Sequence, residues 1–334
     1  TVVNVPVTHP PQRNLQRMVA GFLAPDIERA VYPQRLAEVL RALDYRIDVD
    51  ATLAQDGDLQ AFLEDAYETL DARFEVFAHF IDLDDWDLFV GVFMTPDRVN
   101  HFLYGDYLDD GPFREDFLAF YEQLDTYVGA IRSRLAEDVT LVIVSDHGFD
   151  RLEHEVQVNH WLEERGWLDY DDTEPTDLVD VSGRTRAYSL APGRFYLNLE
   201  DREPRGRVPE TEYEPVRDAL ADELLDWTGP EGRPVIDRVV RRESVYRGPH
   251  LDLAPDLVAI PASGFDLKAA FEHGRPQFTP TTRTGMHRVG DAALLIDDPT
   301  VELEEASIYD VTPTILRLLG LEGDRGAFDG VSLV

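Results

Sequence analysis

The stretch "VTLVIVSDHGFD" covers residues 139–150. An apolar, β-branched run leads directly into Asp146 and His147, and Gly148 and Phe149 follow. The run has the length and composition of a buried strand. Upstream, Phe117, Phe120, Leu124, Val128, Ile131 and Leu135 fall at helical spacing. Before them, "WDLFVGVF" (86–93) reads as another short strand. Leu59, Phe62, Leu63, Ala66, Leu70, Phe74 and Phe77 mark a helix over 59–77, and "TVVNVPV" (1–7) opens as a strand. Strand, helix and strand in alternation predict an α/β fold with a mostly parallel central sheet flanked by helices.

Beyond residue 150 the pattern is less regular. "VNHWLEERGWL" begins as a short helix that stops at Gly166, and "DYDDTEPTDLVDVSG" reads as a polar loop. "RAYSLAPGRFYLNLE" suggests two strands around a Pro-Gly turn, and "YEPVRDALADELLDW" a helix. "DLVAIPA" and "AALLID" are further strands. "SIYDVTPTILRLLGL" predicts a helix that starts near Thr312–Pro313 and is closed by Gly320.

The charge balance is extreme. Acidic residues number 66 against 31 basic ones, for a formal net charge of −35. Lys268 is the single lysine, and every other basic residue is arginine. Such a surface repels the backbones of long nucleic acids and anionic membranes. The acids are dispersed along the chain, as suits a folded protein kept soluble at high salt. We expect a cytoplasmic protein of a salt-adapted, archaeal-type host. No run approaches the roughly 18 apolar residues of a membrane span. Cysteine is absent, which excludes disulfides and thiolate ligands.

Four stretches carry the candidate chemistry: "NVPVTHPP" (4–11), "MTPDRVNHF" (94–102), "SDHGF" (145–149) and "GMHRVG" (285–290). Asp97 and His101 lie four apart, so on a helix they share a face and can share a cation. They could equally form a hydrogen bond or a cap. Asp146 and His147 would face opposite ways in a strand. Gly148 is expected to let the backbone bend so that both converge; otherwise they are a turn Asp beside a surface His. His287 alone would pass for a loop histidine. Together these residues supply two carboxylates and three imidazoles. That set suits Zn²⁺, with Mn²⁺ or Fe²⁺ as harder alternatives. Five ligands exceed the need of one tetrahedral ion, and two ions could clamp a phosphoryl group.

"TPDRVNH", "SDHGF", "GMHR" and the closing "DVTPTILRLLGL" with "FDGVSL", taken in order, resemble the alkaline phosphatase superfamily in its type I phosphodiesterase/nucleotide pyrophosphatase branch. The resemblance implies one domain over 1–334 with an alkaline phosphatase-like core at 1–150 and 250–334. A smaller inserted, cap-like region would occupy about 151–249. It also implies that Asp97, His101 and His287 hold one metal, and that Asp146 and His147 hold a second. The family's remaining ligand to the second metal, an early Asp, and its Thr or Ser nucleophile precede the stretch that resembles "NVPVTHPP". We therefore expect an N-terminal core segment ahead of Thr1 that carries both, and we do not assign the nucleophile to Thr8.

The resemblance implies metal-dependent hydrolysis of a small phosphoester, a phosphodiester or nucleotide pyrophosphate, through a covalent phosphoryl-enzyme. The 334-residue chain by itself would be inactive. Alternatives are a phosphotransferase or mutase, a phosphomonoesterase or a sulfatase of the same superfamily, or a non-catalytic metal-binding homologue. Arg288, beside a proposed ligand, is the candidate anion contact. Arg184, Arg186, Arg194, Arg202 and Arg205 read mainly as partners for local acids. Oligomeric state has no signature in the sequence. Screening of dispersed acids gives a direct expectation: the melting temperature should rise markedly between ~0.1 M and ~2 M KCl. A flat or falling value in calorimetry would count against salt adaptation.

Overall fold

Asp58 caps a 23-residue helix, Leu59–Ile81, by accepting a hydrogen bond from the Ala61 amide at 3.0 Å. This computed structural model describes residues 1–5, 15–22, 24–83, 86–271, 276–301, 303, 305–321 and 328–334. Thr8 and His9 lie outside the described residues. The helix outruns the expected 59–77 because Phe80 and Ile81 continue its buried stripe. Its first half packs Phe62, Leu63, Ala66 and Leu70 against Val99, Phe102, Leu103 and Phe120. Its second half packs Val76, Phe77, Phe80 and Ile81 against Val3, Val19 and Leu40. One helix thus serves two apolar clusters.

The chain divides into two compact units, Thr1–Phe149 with His287–Val334, and Asp150–Met286. The fold is α/β, with helices beside mixed sheets. In the first unit, Val2–Val5 runs parallel to Met18–Ala20 on one side and to Val90–Gly91 on the other. Val31–Tyr32 closes that sheet antiparallel to Met18–Ala20. The apolar run at 86–93 gives only the short ladder Val90–Gly91. The run at 139–145 gives Val142–Val144, which pairs antiparallel with Leu294–Ile296.

The last helix corrects the reading from Thr312–Pro313. It spans Ile308–Leu318 with Pro313 inside it. Ser307 and Asp310 form a capping box, in which the Ser307 amide donates to Asp310 Oδ2 at 2.8 Å. Satisfying orphan amides in this way starts the helix earlier than the proline would. Gly320 follows the helix in the left-handed region, φ +68°, as expected of a closing glycine.

In the second unit, Ala187–Ala191, Arg194–Leu197, Leu257–Pro261 and Ile236–Arg241 form an antiparallel sheet in that order. The first two flank Gly193, whose positive φ of +68° makes the tight turn. Residues 250–286, expected within the core, belong to this unit. The reason is pairing: Leu257–Pro261 is hydrogen-bonded between Arg194–Leu197 and Ile236–Arg241. The helix Tyr213–Leu225 buries Val216, Leu220 and Leu224, and Trp161 stacks on Trp227 with centroids 4.6 Å apart. Lys268 pairs with Asp266 at 2.6 Å, and Arg283 bridges Glu155 and Asp266 at 2.6 and 2.9 Å. No helix among the described residues is long and apolar enough to cross a membrane.

Asp256 is the polar anchor of the second unit. Its fully buried carboxylate accepts from the Leu197 amide at 2.7 Å and the Tyr213 hydroxyl at 2.9 Å. Arg202 and Arg242 donate to it at 2.7 and 3.1 Å. Removing it strands two guanidinium groups and a buried hydroxyl. Asp256→Ala should therefore cost about 3 kcal/mol or more, read as a lowered urea midpoint. A loss below about 1 kcal/mol would show that solvent replaces the carboxylate.

Candidate metal centre

"TPDRVNHFLYGDYL" folds as the helix Thr95–Leu108, with Pro96 in its first turn, where a missing amide costs nothing. Asp97 also lies in that first turn, where unpaired amides favour negative charge. His101 sits one turn further on the same face, and its Nε2 is 3.7 Å from Asp97 Oδ2. His287, on the strand Gly285–Arg288, meets Asp97 from a sequence distance of 190 residues. Its Nε2 lies 2.9 Å from Asp97 Oδ1. Ligand atoms of Asp97, His101 and His287 all fall within 4.8 Å of one another.

His147 joins the same cluster. Its ring stacks on that of His287, with centroids 3.7 Å apart, and its Nε2 is 3.9 Å from Asp97 Oδ1. His147 Nδ1 lies 3.1 Å from the Gly148 carbonyl oxygen. A donor proton on Nδ1 leaves the Nε2 lone pair facing the cluster. Asp146 behaves differently: its side chain is 83% exposed, with Oδ1 3.6 Å from His147 Nε2. Exposed as it is, Asp146 keeps one carboxylate oxygen near the His147 nitrogen that faces the cluster. The duty of Gly148 is close approach, since a Cβ there would sit 2.5 Å from the Gly290 carbonyl oxygen. The Gly148 amide donates to that same oxygen at 3.1 Å, tying the Asp-His segment to the residues after His287.

The donor set fits a divalent cation. One carboxylate and two imidazoles match a three-ligand zinc site that keeps a position open. Burial by itself would raise the Asp97 carboxyl. The hydrogen bond from His287 and the charges of His101, His287 and Arg98 outweigh it and hold the group below the usual carboxylate range. Asp97 is thus an anion, as a ligand must be.

Three features escaped the sequence reading. Phe149 packs its ring edge-on to His101 at 5.2 Å and to His287 at 5.4 Å, and lies 5.6 Å from His147. Tyr104 donates to the Phe149 carbonyl at 3.3 Å and fixes that wedge. Arg98 donates to Asp97 Oδ2 at 3.1 Å and is itself held by Asp48. The only advance signal was position, since both Arg98 and Phe149 lie inside the quoted motifs. Arg288 pairs with exposed Asp291 at 3.1 Å. Arg184, Arg202 and Arg205 each pair with an aspartate of the second unit.

Comparison with known proteins now places the chain. A profile of the type I phosphodiesterase / nucleotide pyrophosphatase family matches residues 3–288. The chain belongs to that family, the one its motifs resemble. Among solved structures it is similar to phosphonoacetate hydrolase from Sinorhizobium meliloti 1021 in complex with phosphonoformate. The identity is 16%, covering 78% of this chain and 55% of that one, with a TM-score of 0.42. For human ectonucleotide pyrophosphatase / phosphodiesterase 5 the values are 14%, 78%, 60% and 0.40. For the alkaline phosphatase PafA they are 17%, 94%, 58% and 0.43. The chain spans little more than half the length of these solved structures. A comparison with curated protein sequences returned no match.

The depressed carboxyl of Asp97 links this site to pH. A group whose folded pKa is lowered stabilises the fold above its unfolded pKa, and that contribution disappears as pH falls through the folded value. The metal-free chain should therefore exceed its Asp97→Asn variant in stability at pH 6. The gap should close below about pH 4, near the ordinary carboxylate value. Urea unfolding at both pH values reads the difference; a gap that widens on acidification contradicts the assignment.

Proposed function

We propose that the protein hydrolyses small phosphoesters, most specifically phosphodiesters or nucleotide pyrophosphates, in a reaction that depends on divalent cations. The observation that carries this reading is the convergence of Asp97, His101 and His287 at the end of the Thr95–Leu108 helix, with His147 stacked alongside. Asp97, His101 and His287 would hold one cation, with Zn²⁺ as first choice. Asp146 and His147 would contribute to a second, completed by further ligands. The bound cations supply Lewis acidity toward the phosphoryl oxygens. Asp97 offsets their charge, and Phe149 packs against the three imidazole rings and keeps that side of the cluster apolar. The nucleophile in this proposal is a Thr or Ser hydroxyl.

The natural protein should cleave bis-p-nitrophenyl phosphate when Zn²⁺ or Mn²⁺ is added, and a chelator should abolish the rate. His101→Ala and His287→Ala should each lower turnover by about a hundredfold or more while lowering zinc content, a larger effect than any fall in melting temperature. Activity that survives complete chelation would end the metal-dependent reading. Zinc bound tightly with no turnover of phosphodiester, phosphomonoester or sulfate ester would favour a non-catalytic binding protein.

A further inference from the structure

The two oxygens of Asp97 have different neighbours. Oδ1 faces His287 and His147. Oδ2 accepts from Arg98 Nη1 at 3.1 Å. Arg98 is not free to turn elsewhere. Its Nη2 and Nε donate to Asp48 Oδ2 at 2.8 and 3.2 Å, and its guanidinium lies 5.2 Å from the Phe22 ring centre. Asp48 follows a segment that is pinned in turn. The buried guanidinium of Arg73, on the Leu59–Ile81 helix, donates to the Tyr45 hydroxyl at 2.6 Å and to the Arg46 and Ile47 carbonyls at 2.9 and 3.1 Å. Arg73 thus holds the backbone just ahead of Asp48, and Asp48 in turn holds Arg98 against Asp97.

We propose that Arg98, clamped by Asp48, is a positioning residue that fixes the rotation of the Asp97 carboxylate and so strengthens the cluster's hold on a divalent cation. This rests on the cation site proposed above. Each of the three guanidinium nitrogens donates to a carboxylate, which holds the Arg98 plane between Asp97 and Asp48. Its effect on the cation can therefore be reasoned from charge and from geometry, and the two disagree in sign. By charge alone, a positive group beside the site repels a cation, so removing Arg98 should tighten binding. By geometry, the terminal torsion of an aspartate is soft, and a carboxylate held at one oxygen presents the other in a fixed direction. Only a planar fork can hold Asp97 and Asp48 at once, so lysine is a poor substitute.

The test is zinc affinity of the purified 334-residue chain, measured by competition with a chromophoric chelator. The visible spectrum of the Co²⁺-loaded form reads ligand geometry in parallel. Arg98→Lys keeps the charge and removes the fork, and we expect its zinc affinity to fall about tenfold or more, with an altered Co²⁺ spectrum. Arg98→Ala should fall at least as far, and Asp48→Asn should shift in the same direction by less. Unchanged or tighter zinc binding in Arg98→Lys and Arg98→Ala would overturn the proposal, because a merely structural ion pair would move the melting temperature and leave affinity alone. Should Arg98→Ala not fold, unchanged affinity in both Arg98→Lys and Asp48→Asn overturns it equally. If the unsubstituted chain binds no zinc, the cation site and the positioning role fall together. If it binds and the variants match it, only the positioning role falls.

Discussion

A carboxylate withdrawn from water needs a donor or a positive charge at each oxygen. Asp97, with its side chain 16% exposed, has that requirement met from three separate parts of the chain. His287 serves one oxygen, Arg98 serves the other, and His101 and His147 stand within 4 Å. To satisfy it, the Thr95–Leu108 helix must begin where it does, the Asp-His segment must end its strand beside it, and the Gly285–Arg288 strand must arrive from far along the sequence. The contact of Gly148 with Gly290 locks the last two arrivals together at backbone level, where a side chain of any size would push them apart.

What the sequence disclosed follows the range of the interaction. Helical periodicity is local, so the Leu59–Ile81 and Arg114–Arg132 helices were readable from their apolar stripes. Asp97 and His101 were readable for the same reason, because one helical turn joins them. Strand direction is not local. Nothing in "VTLVIVS" announces that its partner is Leu294–Ile296 running the other way. The partners of "DLVAIPA" are likewise not local: it looks like any core strand until Arg194–Leu197 and Ile236–Arg241 are seen on either side of it.

The site residues divide along the same line. His287 carries no spacing signal of its own and entered only through the ordered set of motifs. Arg98 was quoted within its motif yet given no role, because its partner Asp48 lies 50 residues earlier in an irregular stretch. Asp146 and His147 would point apart on a regular strand, yet their ligand atoms lie 3.6 Å apart, with the Asp146 side chain exposed. The capping box at Ser307 and Asp310 is local and sets the start of the last helix ahead of Pro313. Hydrogen-bond partners available within three residues deserve priority over a proline that a helix can tolerate near its start.

The near-total replacement of lysine by arginine leaves the molecule with one side-chain amine. Lys268 lies in the strand Gly264–Lys268 of the second unit, against Asp266. Acylating reagents aimed at amines thus have one internal target, remote in sequence from Asp97 and its imidazoles. A dye, a biotin or a solid support attached there decorates the second unit at a defined point and leaves the imidazoles and carboxylates beside Asp97 chemically untouched. A composition this poor in lysine thus furnishes one side-chain handle for covalent attachment.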